Sequence, residues 1–222
     1  MNNVLVVAVH PDDETLGCGG TLLRHAAEGD TINWIIVTEM TANEGYSDEE
    51  MLIREEQIKK VAGAYNFTSV VRMGIPSTKV DCVPKSELVN KMSQVISDIR
   101  PGILYIPFHA DVHSDHRLVF EACCSATKTF RSPYIRQILM METISETEFA
   151  PPLCMNTFMP NYFVDISRFL ESKMVIVEMY SEQIAEHPFP RSFESMKARA
   201  ILRGAQADMQ YAEGFMLIKQ IV

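Results

Sequence analysis

Residues 4–14 read Val4-Leu5-Val6-Val7-Ala8-Val9-His10-Pro11-Asp12-Asp13-Glu14, an apolar run that ends in a polar cluster. Six apolar residues with no polar alternation describe a strand buried on both faces, as in a parallel sheet covered by helices. The run is cut at once by a histidine, a proline and three acids, too soon for a signal segment or a membrane span. Pro11 holds His10 extended. A polar cluster therefore stands at the carboxyl end of a central strand, where open α/β sheets bind their ligands.

Outward from it, Val- and Ile-rich runs alternate with amphipathic stretches, the pattern of β-α-β units. Leu16, Leu22, Leu23 and Ala26 mark a helix that ends at Gly29-Asp30, and residues 32–37 give a second buried strand. A helix is expected over residues 48–64, a short strand over 70–73 and a loop over 74–84. Leu88, Met92, Val95, Ile96 and Ile99 then repeat at helical spacing up to Pro101-Gly102, with a fourth strand, 103–106, behind that break. Leu118, Val119, Ala122 and Ala126 carry the next helix. Further strands are expected at 137–141, 162–164 and 215–218, and further helices over 167–184 and 193–209. No repeat or linker divides the chain, so residues 1–222 are expected to form a single domain.

Behind the fourth strand lies a second polar group, Asp111-Val112-His113-Ser114-Asp115-His116. In the strand order 3-2-1-4-5, strands one and four are neighbours at the point where the order reverses, and the two polar groups face each other. His10, Asp13 and His116 then form a set of two imidazoles and one carboxylate with a fourth position open to water, the arrangement of a catalytic zinc site. Imidazole ligands favour zinc over magnesium. Asp12, left over beside the metal, is the candidate general base for an attacking water. His113 is placed to stabilise an oxyanion if protonated, with Asp115 or Asp111 to hold it as imidazolium.

Each motif alone has a plainer reading. His-Pro-Asp-Asp could be a surface turn, and His-Ser-Asp-His a helix start capped by Ser114. It is their joint occurrence behind two buried strands that points to a metal-dependent hydrolase. His25 is expected on a helix surface, His109 in a loop and His187 in a turn beside Pro188. The five cysteines (Cys18, Cys82, Cys123, Cys124, Cys154) form no Cys-x-x-Cys pair, which excludes a four-cysteine zinc ribbon and indicates reduced thiols. Cys18, within Gly17-Cys18-Gly19-Gly20, reads as a small packing residue.

The sequence carries 20 Lys plus Arg against 29 Asp plus Glu, a net charge of −9, with no basic cluster for phosphate contacts. That speaks against a nucleic-acid partner. Without a basic amphipathic helix no stable membrane insertion is expected either, and the location implied is the cytoplasm. Oligomeric state is not legible, and a homo-oligomer stays open.

The segments Val9-His10-Pro11-Asp12-Asp13-Glu14-Thr15-Leu16-Gly17-Cys18-Gly19-Gly20-Thr21 and Asp111 to His116 resemble the LmbE-like, or PIG-L, family of zinc-dependent N-deacetylases. So do Arg54-Glu55-Glu56, Tyr162-Phe163-Val164-Asp165-Ile166-Ser167 and Tyr211-Ala212-Glu213-Gly214-Phe215, which extend the likeness over nearly the whole chain. The resemblance implies a Rossmann-like three-layer α/β fold with a mostly parallel sheet, and a metal site at the carboxyl ends of strands 1 and 4. It implies removal of an N-acetyl group from an amino-sugar conjugate, a small-molecule partner. By motif position His10, Asp13 and His116 are the zinc ligands, Asp12 the base, His113 the electrostatic stabiliser and Arg54 a substrate contact. The family begins this motif more often with Ala than with Val9.

Other readings fare worse. Gly17-Cys18-Gly19-Gly20 does not follow the G-x-G-x-x-G spacing of a dinucleotide fold, and no lysine stands where a phosphate loop needs one. A metal-free binding protein has no need of Asp12 and His113. A magnesium-dependent phosphoryl hydrolase could use the acidic cluster, and a zinc amidase could act on a non-sugar N-acyl group. Residues 41–50, 74–84 and the turn from His187 to Arg191 are the segments placed to wall a substrate pocket.

Overall fold

The computed structural model describes all 222 residues. Seven strands form one sheet: β1 (Asn3–Ala8), β2 (Thr31–Glu39), β3 (Ser69–Pro76), β4 (Ile103–Ile106), β5 (Gln137–Met141), β6 (Tyr162–Asp165) and β7 (Ala212–Gln220). Their order is β3-β2-β1-β4-β5-β7-β6. The first five are mutually parallel, in the expected order, and β7 and β6 extend the sheet as antiparallel strands. Six helices cover it: α1 (Asp13–Ala27), α2 (Asp48–Tyr65), α3 (Lys85–Ile99), α4 (Ser114–Ala126), α5 (Leu170–Val177) and α6 (Phe193–Ala205).

The period-two alternation of β1 makes two cores. Leu5, Val7 and Val9 pack with Ile35, Val37, Leu104 and Ile106 against Leu88, Met92 and Ile96 of α3 and Val119 and Ala122 of α4. Val4, Val6 and Ala8 face the other way, with Trp34, Ile36, Tyr105, Leu22, Ile58, Val61 and Tyr65. Helices on both faces are why residues 4–9 carry no polar side chain at all. The result is a three-layer α/β fold. No helix is long and apolar enough to cross a membrane.

α1 is broken at Cys18, whose φ of −149° and ψ of 23° interrupt the helix. The amides freed by the break, those of Gly20 and Thr21, donate to the two Glu213 carboxylate oxygens at 2.9 and 2.7 Å. Lys173 of α5 neutralises that carboxylate at 2.7 Å and also donates to the Leu16 carbonyl. The glycines serve close approach: a Cβ at Gly19 would stand 2.5 Å from the Tyr65 hydroxyl, and one at Gly20 2.7 Å from Ile166 Cγ2. The Cys18 thiol is fully buried, consistent with a packing role.

Some local expectations need correction. Residues 74–84 are not all loop: β3 runs to Pro76, and a short 3₁₀ turn at Val80–Cys82 buries Val80. The helix expected over 167–184 ends at Val177 and gives way to a 3₁₀ segment in which Tyr180 is non-helical (φ −102°, ψ 48°). There the Tyr180 hydroxyl donates to the buried Glu14 carboxylate at 3.0 Å, a tertiary bond that competes with continued helix. α6 stops at Ala205, four residues early. His25 is partly buried, not free on the helix surface. Its ring is bonded between Asp30 (2.8 Å) and the Tyr105 hydroxyl (2.9 Å).

Candidate metal centre and its cavity

Because β1 and β4 pair in parallel, with Val4 opposite Ile103 and Val6 opposite Tyr105, the segments that follow them emerge side by side. His10 Nδ1, Asp13 Oδ2 and His116 Nε2 converge there. The separations are 3.8 Å (His10 to Asp13), 3.3 Å (His116 to Asp13) and 3.4 Å (His116 to His10). Asp13 Oδ2 also accepts from the backbone amides of Val9 and His10 at 2.9 and 2.8 Å. These bonds and the neighbouring His116 and His10 outweigh the effect of burial and hold its carboxyl well below the usual carboxylate range.

Each of the two imidazoles has a carboxylate behind it. Asp111 Oδ2 lies 2.8 Å from His116 Nδ1, and Asp111 Oδ1 is fixed by the Thr147 hydroxyl at 2.7 Å. Asp115 Oδ2 lies 3.5 Å from His10 Nε2 and accepts from the Thr78 amide at 2.9 Å. The expected pairing of His113 with either acid is therefore revised. Asp111 turns to His116, and Asp115 is closer to His10 than to His113 Nδ1, which is 4.0 Å away. His113 itself, not Ser114, caps α4, its Nδ1 accepting from the Asp115 amide at 3.1 Å. That bond leaves the proton of the neutral ring on Nε2. Burial and the neighbouring His10 ring lower the His113 pKa, which favours the neutral ring.

Asp12 sits between the two strand ends in a strained backbone conformation, φ 138°, of a kind that costs on the order of 1–3 kcal/mol and recurs at functional sites. Its amide donates to Glu14 Oε2 at 3.1 Å, and its carbonyl accepts from Thr15 and Leu16. Burial raises the Asp12 carboxyl pKa, and Arg191 acts against that rise. Glu14, fully buried, is pushed up to about 8 by desolvation.

Sequence reasoning missed two residues. Arg191 Nη1 donates to Asp12 Oδ2 at 2.8 Å and to Gln183 Oε1 at 3.0 Å, and Arg191 Nε donates to Ser145 Oγ at 2.6 Å. Glu146 lies 3.7 Å from Arg191 Nη2, and burial raises its pKa. The sequence marks the turn at 187–191 as a pocket wall, but nothing local distinguishes its arginine. Arg54 of α2 is buried, donates from Nη1 to the Pro11 carbonyl at 2.9 Å and lies 5.5 Å from the centre of the Tyr180 ring. A cavity of about 260 Å³ opens over these groups, lined by His10, Asp12, Arg54, His113, Glu146 and Arg191 among others.

Residues 5–127 match the family described as PIG-L: GlcNAc-PI de-N-acetylase. The diacetylchitobiose deacetylase of Thermococcus kodakarensis is 25% identical over 228 residues, covering all of this chain and 85% of that protein. The crystal structure of the conserved protein TT1542 from Thermus thermophilus superposes with a TM-score of 0.79 at 26% identity, covering the whole chain and 97% of that one. The 4-carboxy-2-hydroxymuconate hydratase of Pseudomonas putida shares the fold at a TM-score of 0.76 and 18% identity, over 100% of this chain and 98% of that one. A shared fold alone thus does not fix the reaction.

Proposed function

We propose, from the premise that this chain belongs to the PIG-L family, that it is a zinc-dependent hydrolase removing the N-acetyl group of an amino sugar. The observation that carries the reading is the convergence of His10 Nδ1, Asp13 Oδ2 and His116 Nε2 at mutual distances of 3.3–3.8 Å. Tetrahedral zinc with bonds of about 2.0–2.1 Å has donors roughly 3.3–3.4 Å apart. The donor set also fits: two imidazoles and a carboxylate suit zinc, and Asp115 and Asp111 back the two rings as carboxylates commonly do behind metal-bound histidines. A cation held by these three residues supplies the Lewis acid that makes water acidic near neutral pH.

The chain's own groups account for the rest. Asp12 takes the proton of the attacking water, with its carboxylate oriented by Arg191. His113, neutral and with Nε2–H free, donates to the carbonyl oxygen as negative charge develops on it. As the C–N bond breaks, the proton held on Asp12 passes to the departing nitrogen, which leaves as the amine, so the base returns to its starting state. Arg54, which also lines the cavity, presents donors to the substrate.

The test is acetate release from N-acetylglucosamine and its conjugates by protein with its metal content measured. Bound zinc near one per chain and stoichiometric acetate and free amine are expected. Activity only with millimolar magnesium on phosphate esters, or turnover unaffected by Asp12→Asn, would overturn the reading. His116→Ala should lose the metal, whereas Asp12→Asn should keep it.

A further inference from the structure

Residues 145–147 lie on the turn that follows β5, and each of the three serves the metal centre differently. Ser145 Oγ accepts from Arg191 Nε at 2.6 Å, and the Thr147 hydroxyl donates to Asp111 at 2.7 Å. Glu146, between them, lines the cavity with a carboxylate that accepts no hydrogen bond from the chain. Its Oε2 is shielded and unpartnered, and its Oε1 reaches only Arg191 Nη2, at 3.7 Å.

The backbone fixes that position. The Glu146 amide donates to the Thr143 carbonyl at 3.1 Å, its carbonyl accepts from the Val112 amide at 3.2 Å, and Ser145 before it is held at φ 73°. A non-glycine residue in that region is strained, and such strain persists where the surroundings hold a group in place. A carboxylate on a residue only 9% exposed is also costly to leave without a donor. Two structural explanations fail on distance. Glu146 is not among the donors that converge on the metal position, His10, Asp13 and His116. Nor does it orient Arg191, whose Nη1 and Nε are taken by Asp12, Gln183 and Ser145 at 2.6–3.0 Å. An acceptor so placed is satisfied when a ligand brings the donor.

Charge identifies that donor. Asp12, Glu39 and Glu146 line the cavity against Arg54 and Arg191, which leaves one negative charge in surplus. While Asp12 holds the proton of the attacking water, Arg191 lacks its ionised partner, and Glu146 is the carboxylate that remains beside it. Hydrolysis turns the neutral N–H of an amide into an amine that takes up a proton, so positive charge appears at the scissile nitrogen. A hydrogen bond from that nitrogen to a carboxylate becomes stronger as the charge grows. An interaction that strengthens along the reaction accelerates it.

Resting on the deacetylase reading above, we propose that Glu146 is a further catalytic residue, whose carboxylate accepts from the N–H of the scissile amide and holds the nitrogen as it gains its proton. Asp12 supplies that proton and Glu146 supplies none, so water adds across the C–N bond and both acids end as they began.

The experiment measures binding and turnover separately. Calorimetry on metal-loaded protein, below the pKa of the sugar amine, compares glucosamine with glucose, which lacks the nitrogen. The wild type should bind glucosamine roughly tenfold or more tightly. Glu146→Gln, close in shape but uncharged, should erase that preference while the glucose Kd, the bound metal and the Tm stay unchanged. Glu146→Asp keeps the charge and should keep part of the preference. In acetate release from N-acetylglucosamine, Glu146→Gln should lower kcat roughly tenfold or more and leave KM within about twofold, since the charge it serves develops only along the reaction. No preference in the wild type, a preference that survives Glu146→Gln, or equal losses in the Gln and Asp variants would overturn the proposal. The two readings fail separately: a wild type that releases no acetate removes the deacetylase reading and this role with it, whereas acetate release that Glu146→Gln leaves untouched removes only the role of Glu146.

Discussion

Arg191 Nη1 lies 2.8 Å from Asp12 Oδ2, an ion pair across 179 residues of sequence in which both side chains are largely buried. It joins the acid beside the candidate metal ligands to a distant loop that also lines the cavity. Arg191 is further held by Ser145 and Gln183, so the guanidinium is a fixed support for Asp12 and not a mobile surface charge.

Removing that support should alter catalysis without disturbing the metal. Arg191→Ala is expected to retain its bound metal and to lose roughly tenfold or more in kcat, as misplacement of a catalytic group does. The sign of the pH effect follows from charge. Arg191 favours ionised Asp12, so its loss raises the Asp12 pKa and moves the acidic limb of the kcat/KM profile to higher pH. An unchanged limb in the variant would count against Asp12 as the base.

The carboxylate behind His116 makes a separate prediction. Asp111 orients the His116 ring through a 2.8 Å contact and touches none of the other ligands. Asp111→Asn should weaken metal binding about 10–100-fold, read by competition with a chelator, while the melting temperature of the metal-loaded protein changes little. Undiminished affinity would remove Asp111 from this role.

Packing at the broken helix gives a prediction that needs no activity. Gly19→Ala places a methyl group 2.5 Å from the Tyr65 hydroxyl, and overpacking of this kind costs about 1–3 kcal/mol. Tyr65→Phe removes that oxygen and should recover most of the loss in the double variant. Denaturant melts of the two single variants and the pair measure the coupling, and additive losses would show that the crowding lies elsewhere.

Glu213 should be among the costliest residues to truncate. It accepts from two amides at the α1 break and pairs with buried Lys173. Glu213→Ala leaves an uncompensated buried ammonium and two unpaired amides, a loss of about 3–5 kcal/mol. Chemical denaturation checks this, and a change below about 1 kcal/mol would mean that water replaces the carboxylate.

The parallel core and the place of the candidate metal ligands are legible in the sequence alone. A strand buried on both faces must be apolar throughout, so Val4 to Val9 reveals itself within six residues, and the polar group that follows can only lie at the strand end. His10 with Asp13, and His113 with His116, are likewise local in sequence. Which groups complete the site depends on tertiary packing. Arg191, Glu146 and Gln183 come from loops far along the chain, and their positions depend on how those loops pack over the sheet, which no local periodicity records. The same holds for the end of α5 ahead of Tyr180, where a bond to Glu14 outweighs helix propensity, and for the choice of Asp115 and Asp111 as partners of His10 and His116. Periodicity reports which face of an element is buried, whereas pairing among polar groups is settled by distances that arise only when distant segments meet.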